Sequence, residues 1–171
     1  MSRDFLLTSL LVATGLSAVT IPLSGYISDR IGRKRMYLIG AVTTGVFAFI
    51  YFTMMNSMAP VLIFLAIVLS FIPHDMMYGP QAALIAECFT ARLRYSGSSL
   101  GFHLASVVAG GPAPLIATAL FAATGSGYSV ALYILFCAIV SVTATAFLPD
   151  YTNRDISQEH IPDLLGRAAE G

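Results

Sequence analysis

Charged side chains are scarce in this sequence of 171 residues. Nine lysine and arginine residues and nine aspartate and glutamate residues make up 11% of the chain, whereas a soluble domain carries about 25%. So few charges do not cover a surface that faces water, which argues against a soluble globular enzyme. The formal net charge is zero, so the sequence also lacks the basic footprint of a nucleic-acid-binding protein.

Cysteines and catalytic motifs are equally scarce. The two cysteines, Cys88 and Cys137, are far apart and lie at or inside apolar segments. They form neither a disulfide framework nor a metal motif, and we interpret them as small packing residues. An HExxH motif and a paired-carboxylate signature are both missing, which argues against an intramembrane enzyme. The sequence therefore predicts no enzymatic activity, no metal site and no cofactor.

The sequence is rich in long segments of apolar residues. Apolar residues make up 57% of the chain, and about 20 consecutive apolar residues suffice for a helix to cross a bilayer. The sequence therefore predicts an all-α, polytopic membrane bundle with a polar tail at 149–171. Charged turns at 29–35 and 91–97, and uncharged turns rich in glycine, proline and serine, divide it into five spans at about 5–28, 36–55, 60–89, 98–123 and 128–148.

The connections between spans predict the orientation of the chain. Basic residues lie in the first and third connections, while the second and fourth carry no charge. Parity places both basic connections on one side of the membrane, and the positive-inside rule makes that side the cytoplasm. The tail then lies in the cytoplasm and the N-terminus outside it. An odd number of spans entered from outside predicts that the chain is a fragment of a longer protein.

The most specific motif is GYISDRIGRKR, between the first two spans. It resembles the signature loop of the major facilitator superfamily, G-x-L-a-D-R-x-G-R-K/R. Glycine at a helix contact allows close approach, and glycine in a tight turn allows positive φ. The alternative is a basic loop that only sets topology. Six residues match position for position: Gly25, Asp29, Arg30, Gly32, Arg33 and Lys34.

A second block, PQAALIAE at 80–87 followed by Arg92 and Arg94, resembles the third-to-fourth span junction of metabolite:proton symporters in that superfamily. The resemblance implies a cytoplasmic salt-bridge cluster in which Glu87 pairs with Arg94 beside the signature loop. Such a cluster is closed in the outward-open state and broken in the inward-open state, which gives alternating access its two-state element. The alternative is that these charges snorkel independently at helix ends.

The resemblance also implies an architecture and a function. The chain corresponds to spans 8 to 12 of a twelve-span transporter; spans 2 to 6 have the same layout, but the tail and the 80–87 block favour the C-terminal half. The implied partners are the lipid bilayer, the missing N-terminal half, and a small anionic or zwitterionic metabolite moved with protons across the cytoplasmic membrane. The alternative is an orphan half or scaffold component without transport activity of its own.

Ionisable residues lie at membrane depth in the third span. His74 and Asp75 are about 18 Å along the helix from Glu87, halfway through the span. Such residues line a cavity, form pairs or carry protons. We predict a substrate or proton path here; an outer vestibule and a pair that holds the helix in register are the alternatives. Packing roles remain open for the three further candidates: Tyr78, Gln81 and His103.

The fourth span contains helix-breaking residues near its middle. Proline removes a backbone hydrogen bond and glycine loosens the helix, so the sequence predicts a kink. In a transporter, a broken helix at this depth exposes backbone carbonyl groups to a cavity. The residues concerned are Gly110, Gly111, Pro112 and Pro114.

Overall fold

The structure, a computed structural model, describes residues 2–90 and 92–148. All regular elements in these ranges are helices. Five helical segments are long and apolar enough to cross a membrane, with Arg94–Thr124 taken as one segment. The prediction of an all-α membrane bundle with five spanning helices is confirmed. The predicted tail at 149–171 lies outside the described residues.

The first three spans are continuous helices: α1 (Arg3–Ile31), α2 (Arg33–Asn56) and α3 (Pro60–Glu87). The fourth span consists of α4 (Arg94–Ala105), a π-helical segment (Ser106–Gly110) and α5 (Pro112–Thr124), and the fifth span is α6 (Gly127–Phe147). Local chemistry sets several ends. Pro60 occupies the first turn of α3, where its missing N–H costs nothing, and Gly125 ends α5 with φ 65° in the left-handed conformation that glycine adopts readily.

The first connection is shorter than the sequence indicates. The charged run at 29–35 is not a loop, because α1 continues to Ile31 and α2 begins at Arg33. Gly32 alone turns the chain, with φ 105°, a conformation that residues with side chains rarely adopt. The charged side chains therefore project from helix ends and occupy defined positions.

Helix α2 lies at the centre of the bundle and packs against α1, α3 and α6, while α3 also packs against α1 and α5 against α6. Small residues line these contacts. Ala41, Ala66 and Ala131 are fully buried, and a Cβ atom on Gly45 would lie 3.1 Å from the Cβ of Ala138. Small residues allow membrane helices to approach closely, so most large apolar side chains point outward.

The fourth span is the most loosely packed. None of the residues described in α4, the π-helical segment or α5 is buried. The α-helix is interrupted by the π-helical segment, which ends at Gly110, and by Gly111; α5 begins at Pro112 and carries Pro114 in its first turn. Proline at these positions leaves carbonyl groups of the preceding turn without their usual donors. A cavity of about 370 Å³ separates the interruption from α2, α3 and α6.

Candidate functional site

A buried carboxylate occupies the middle of the α1–α3 contact. Asp75 is 1% exposed, and its Oδ2 atom accepts hydrogen bonds from the Ser17 hydroxyl at 2.8 Å and from the Thr20 hydroxyl. Its Oδ1 atom lies 3.1 Å from Nδ1 of His74. We call Ser17, Thr20, His74 and Asp75 the mid-helix cluster.

The surrounding sequence explains why α1 and α3 come so close. The face of α1 toward its neighbours carries small buried residues at helical spacing: Ser9, Ala13, Ser17, Ser24 and Ser28. On α3, one turn beyond Asp75, Gly79 meets this face; a Cβ atom there would lie 2.8 Å from the Gly25 nitrogen. Backbone contact at this crossing brings the α1 hydroxyls within reach of the carboxylate.

Burial makes the hydrogen bonds of Asp75 energetically important. An ionised carboxylate away from water is costly unless hydrogen-bonded donors replace its hydration. The two α1 hydroxyls donate to Oδ2, and Nδ1 of the His74 imidazole lies within hydrogen-bond distance of Oδ1. The arrangement can therefore hold a negative charge at mid-depth of α3 and can also exchange a proton with the imidazole.

The residues predicted to line a substrate or proton path differ in how closely they associate with the mid-helix cluster. The side chain of His74 is 59% exposed, and its ring stacks on Tyr78 with centroids 5.6 Å apart. Gln81 is half-buried on the same helix, and His103 is exposed on α4. Within the described part of the chain, no side-chain hydrogen bond joins Gln81 or His103 to Asp75. The structure thus brings His74, Asp75 and Tyr78 together.

A second cluster lies where α1, α2 and α3 end or begin. Arg33 donates from Nε and Nη2 to Oδ1 of Asp29, at 3.0 and 2.8 Å, and from Nη1 to Oε1 of Glu87. The Asp29 side chain is 57% exposed, whereas that of Glu87 is 12% exposed. We call Asp29, Arg33 and Glu87 the junction cluster. It ties α3 to the turn between α1 and α2.

The predicted pairing of Glu87 with Arg94 requires correction. Glu87 pairs with Arg33 instead, because the single-residue turn at Gly32 sets the start of α2 directly beside the end of α3. Arg94 begins α4 beyond the connection that follows α3. Its Nε and Nη2 atoms are buried and have no hydrogen-bond partner among residues 2–90 and 92–148.

The remaining basic residues of the signature motif have separate contacts. Arg30 folds back on its own helix, where its guanidinium lies 4.8 Å from the centroid of the Tyr26 ring and donates to the Tyr26 hydroxyl. Lys34 donates from Nζ to the carbonyl oxygens of Ala146 at 3.0 Å and Leu148 at 2.5 Å. A cation at these last carbonyls caps the C-terminal end of α6.

The environment of Cys88 reflects the same cluster. This thiol directly follows α3, and burial together with the neighbouring Glu87 charge raises its pKa above the ordinary value for cysteine. Its reactivity therefore reports on the charge at the junction.

Ser17, Thr20 and the capping contact of Lys34 were not predicted from the sequence. The buried small residues of α1 recur at intervals of four and seven, a pattern that marks a contact face and could have indicated Ser17. No local signal identifies which hydroxyls reach Asp75. Among the described residues, no group of three or more histidine, cysteine, aspartate or glutamate side chains could hold a metal ion.

Comparisons with known proteins give the family. The Major Facilitator Superfamily profile matches residues 4–164. The chain is 36% identical over 150 residues to the shikimate transporter of Escherichia coli (86% of this chain, 34% of the relative). It is 34% identical over 149 residues to the citrate-proton symporter of Klebsiella pneumoniae (86% and 33%). It is 28% identical over 148 residues to a putative proline/betaine transporter of Staphylococcus aureus (85% and 32%).

The chain thus spans about a third of the length of these relatives. No solved structure gives a significant match. The assignment to spans 8 to 12 rather than 2 to 6 stays a prediction. The signature motif between α1 and α2, the five spanning helices and the profile match over nearly the whole chain agree. This multi-pass membrane chain belongs to the major facilitator superfamily.

Proposed function

We propose that this chain is part of a secondary active transporter that moves a small metabolite across the cytoplasmic membrane by alternating access, coupled to protons. Family membership and relatives named as a shikimate transporter and a citrate-proton symporter support this proposal. The observation that carries it is the buried Asp75 carboxylate, hydrogen-bonded between α1 and α3 at mid-depth. Ionisable groups in this position are typical of proton relays.

The substrate we propose is a small organic acid or zwitterion, the chemistry named for the three relatives. His74 and Tyr78 offer exposed hydrogen-bonding groups beside Asp75, with Gln81 and His103 as further candidates. The partners we propose are the lipid bilayer and the rest of the transporter, its N-terminal half. We propose protons as the coupling ion, no cofactor and no enzymatic reaction.

The junction cluster serves as the cytoplasmic gate in this proposal, with the C-terminus on the same side. The Arg33–Glu87 ion pair joins the α1–α2 turn to α3, so breaking it removes the ionic link between them. The other signature residues, Gly25, Arg30, Gly32 and Lys34, shape the helix ends around it. We propose that Arg94, whose Nε and Nη2 atoms are buried and lack a partner among the described residues, belongs to the same gate.

The test uses the complete protein reconstituted in proteoliposomes and a panel of radiolabelled shikimate, citrate, proline and betaine. We expect accumulation of at least one of them when a pH gradient is imposed. Asp75→Asn should abolish this accumulation and retain counterflow exchange, because exchange needs binding and movement but no net proton transfer. Asp4→Asn, an exposed carboxylate at the start of α1, is the control. Accumulation retained by Asp75→Asn would contradict the proposed coupling.

A second candidate is a component with no transport activity of its own. Two observations favour it for this chain: the chain spans about a third of the length of its relatives, and its fourth span has no buried residue. Expression of residues 1–171 alone should then give no uptake, and co-expression with the rest of the protein should restore it. Uptake by residues 1–171 alone would contradict this candidate.

A further inference from the structure

We propose that Ser17 and Thr20 are positioning residues that fix one oxygen of Asp75, so that its proton is exchanged at the other oxygen through His74. This inference rests on the proposed role of Asp75 in proton coupling. It adds two residues on α1 to a site whose sequence-predicted members lie on α3 and α4, and it assigns different tasks to the two carboxylate oxygens.

The Oδ2 atom of Asp75 accepts its hydrogen bonds from side chains of α1. Ser17 and Thr20 are one turn apart and both donate to this oxygen. A carboxylate oxygen offers about two lone pairs, so two hydroxyl donors satisfy it. The Thr20 hydroxyl also lies 3.3 Å from the Leu16 carbonyl, but its one hydrogen belongs to the shorter contact with Asp75. Oδ2 therefore has no free position for a proton.

The Oδ1 atom faces His74 instead. Its contact with Nδ1 is 3.1 Å, and the imidazole connects a carboxylate that is 1% exposed to a side chain that is 59% exposed. Stacking on Tyr78 at an interplanar angle of 16° holds the ring in this orientation. Oδ1 is therefore the oxygen with a path to the surface.

The proton transfer balances with these groups alone. Neutral His74 carries its hydrogen on Nδ1 and donates it toward Oδ1. A hydronium ion gives a proton to Nε2 and leaves as water, the Nδ1–H bond breaks, and an O–H bond forms on Oδ1. Asp75 becomes neutral, and the imidazole is again neutral with its hydrogen on Nε2. The reverse sequence returns the proton to water.

Other hydroxyl side chains of α1 show that the Ser17 and Thr20 contacts are distinctive. Thr8, Ser9 and Thr14 each donate to the carbonyl four residues earlier in their own helix, at 2.8 Å. That bond is the usual way for a hydroxyl to be satisfied inside a membrane helix. Ser17 and Thr20 reach across to Asp75 on α3 instead.

The experiment compares Ser17→Ala/Thr20→Val with Thr14→Val in the complete protein. Thr14 lies on the same helix, is exposed and bonds only its own backbone, so it is a matched control. The measured quantity is the ratio of accumulation driven by a pH gradient to counterflow exchange. We expect the double variant to lower this ratio by about tenfold or more, the factor that corresponds to losing hydrogen bonds to a charged group. Thr14→Val should leave it unchanged.

Three additions separate positioning from a general structural role. In the Asp75→Asn background, which retains only counterflow exchange, Ser17→Ala/Thr20→Val should leave the exchange rate unchanged, because its effect acts through the carboxylate. Thr20→Ser, with Ser17 unchanged, keeps the hydroxyl and should give the wild-type ratio. This comparison tests the proposal even if Thr20→Val fails to fold. His74→Gln should lower the ratio as Asp75→Asn does.

The outcomes distinguish the two proposals. If Asp75→Asn keeps its accumulation, the proposed function fails. If Asp75→Asn loses accumulation while Ser17→Ala/Thr20→Val behaves like Thr14→Val, the positioning inference alone is overturned. A loss of counterflow exchange on adding Ser17→Ala/Thr20→Val to Asp75→Asn, or a normal ratio in His74→Gln, also overturns it.

Discussion

The two carboxylates that bind Arg33 should differ in their contribution to stability, in the opposite order to their number of hydrogen bonds. Asp29 accepts two bonds from Arg33 and Glu87 accepts one. However, the Asp29 side chain is 57% exposed, whereas that of Glu87 is 12% exposed. Water competes for an exposed ion pair and screens it, so we expect Glu87→Gln to destabilise the protein more than Asp29→Asn.

The expected losses of stability follow from how exposed each carboxylate is. A hydrogen bond to a charged group contributes about 1.5–3 kcal/mol; the lower end, about 1.5–2 kcal/mol, suits Glu87 because Arg33 is itself partly exposed. Asp29 and Arg33 form an exposed i,i+4 pair, which contributes about 0.3–0.5 kcal/mol. For a complete protein about three times as long as this chain, one kcal/mol corresponds to about 1 °C in Tm. Glu87→Gln should therefore lower Tm by about 1.5–2 °C and Asp29→Asn by about 0.5 °C or less.

The assay is thermal unfolding of the complete protein in detergent, with both variants purified in parallel. The comparison is internal, since both substitutions remove one charge and keep the side-chain size. An Asp29→Asn shift equal to or larger than that of Glu87→Gln would refute the assignment of Glu87 as the main partner of Arg33.

Three further predictions follow from local contacts. Gly79→Ala should lower Tm by several-fold more than Gly15→Ala in the same thermal assay, because its Cβ atom would meet α1 backbone at 2.8 Å whereas the space around Gly15 is open. Lys34→Met should speed hydrogen exchange in the last turn of α6, measured by mass spectrometry, because it removes the cap; unchanged exchange would contradict the contact. In a variant lacking the other cysteine, a membrane-impermeant maleimide should label Cys88 from the cytoplasmic side only. At a fixed pH below the thiol pKa, labelling should be faster in Glu87→Gln because the raised pKa then falls; labelling from outside would contradict the predicted orientation.

The membrane architecture was predictable because its determinants are local. Uncharged apolar segments and glycine or proline turns mark the five spans, and each depends on residues adjacent in sequence. The exact ends of the helices were harder to predict from the sequence. Charged residues such as Asp29 and Arg33 are typical of loops, yet they extend the helices because Gly32 completes the turn alone.

The site was predictable only in part, because its contacts join distant segments. Asp75 is identifiable from one sequence, since a carboxylate in an apolar span is unusual. Its partners Ser17 and Thr20 are 58 and 55 residues away, and only the packing of α1 on α3 selects them. The partner of Glu87 was predicted wrongly because two arginines could reach the end of α3, and the geometry of the Gly32 turn decides between them.

The most direct test of the central claim measures protons with substrate in one preparation. The complete protein is reconstituted with a pH-sensitive dye, and the substrate identified by the uptake panel is added without an imposed gradient. Substrate entry through the wild-type protein should change the internal pH, whereas Asp75→Asn should exchange substrate with no pH change. Proton movement of equal size in both proteins would contradict the role of Asp75 in coupling.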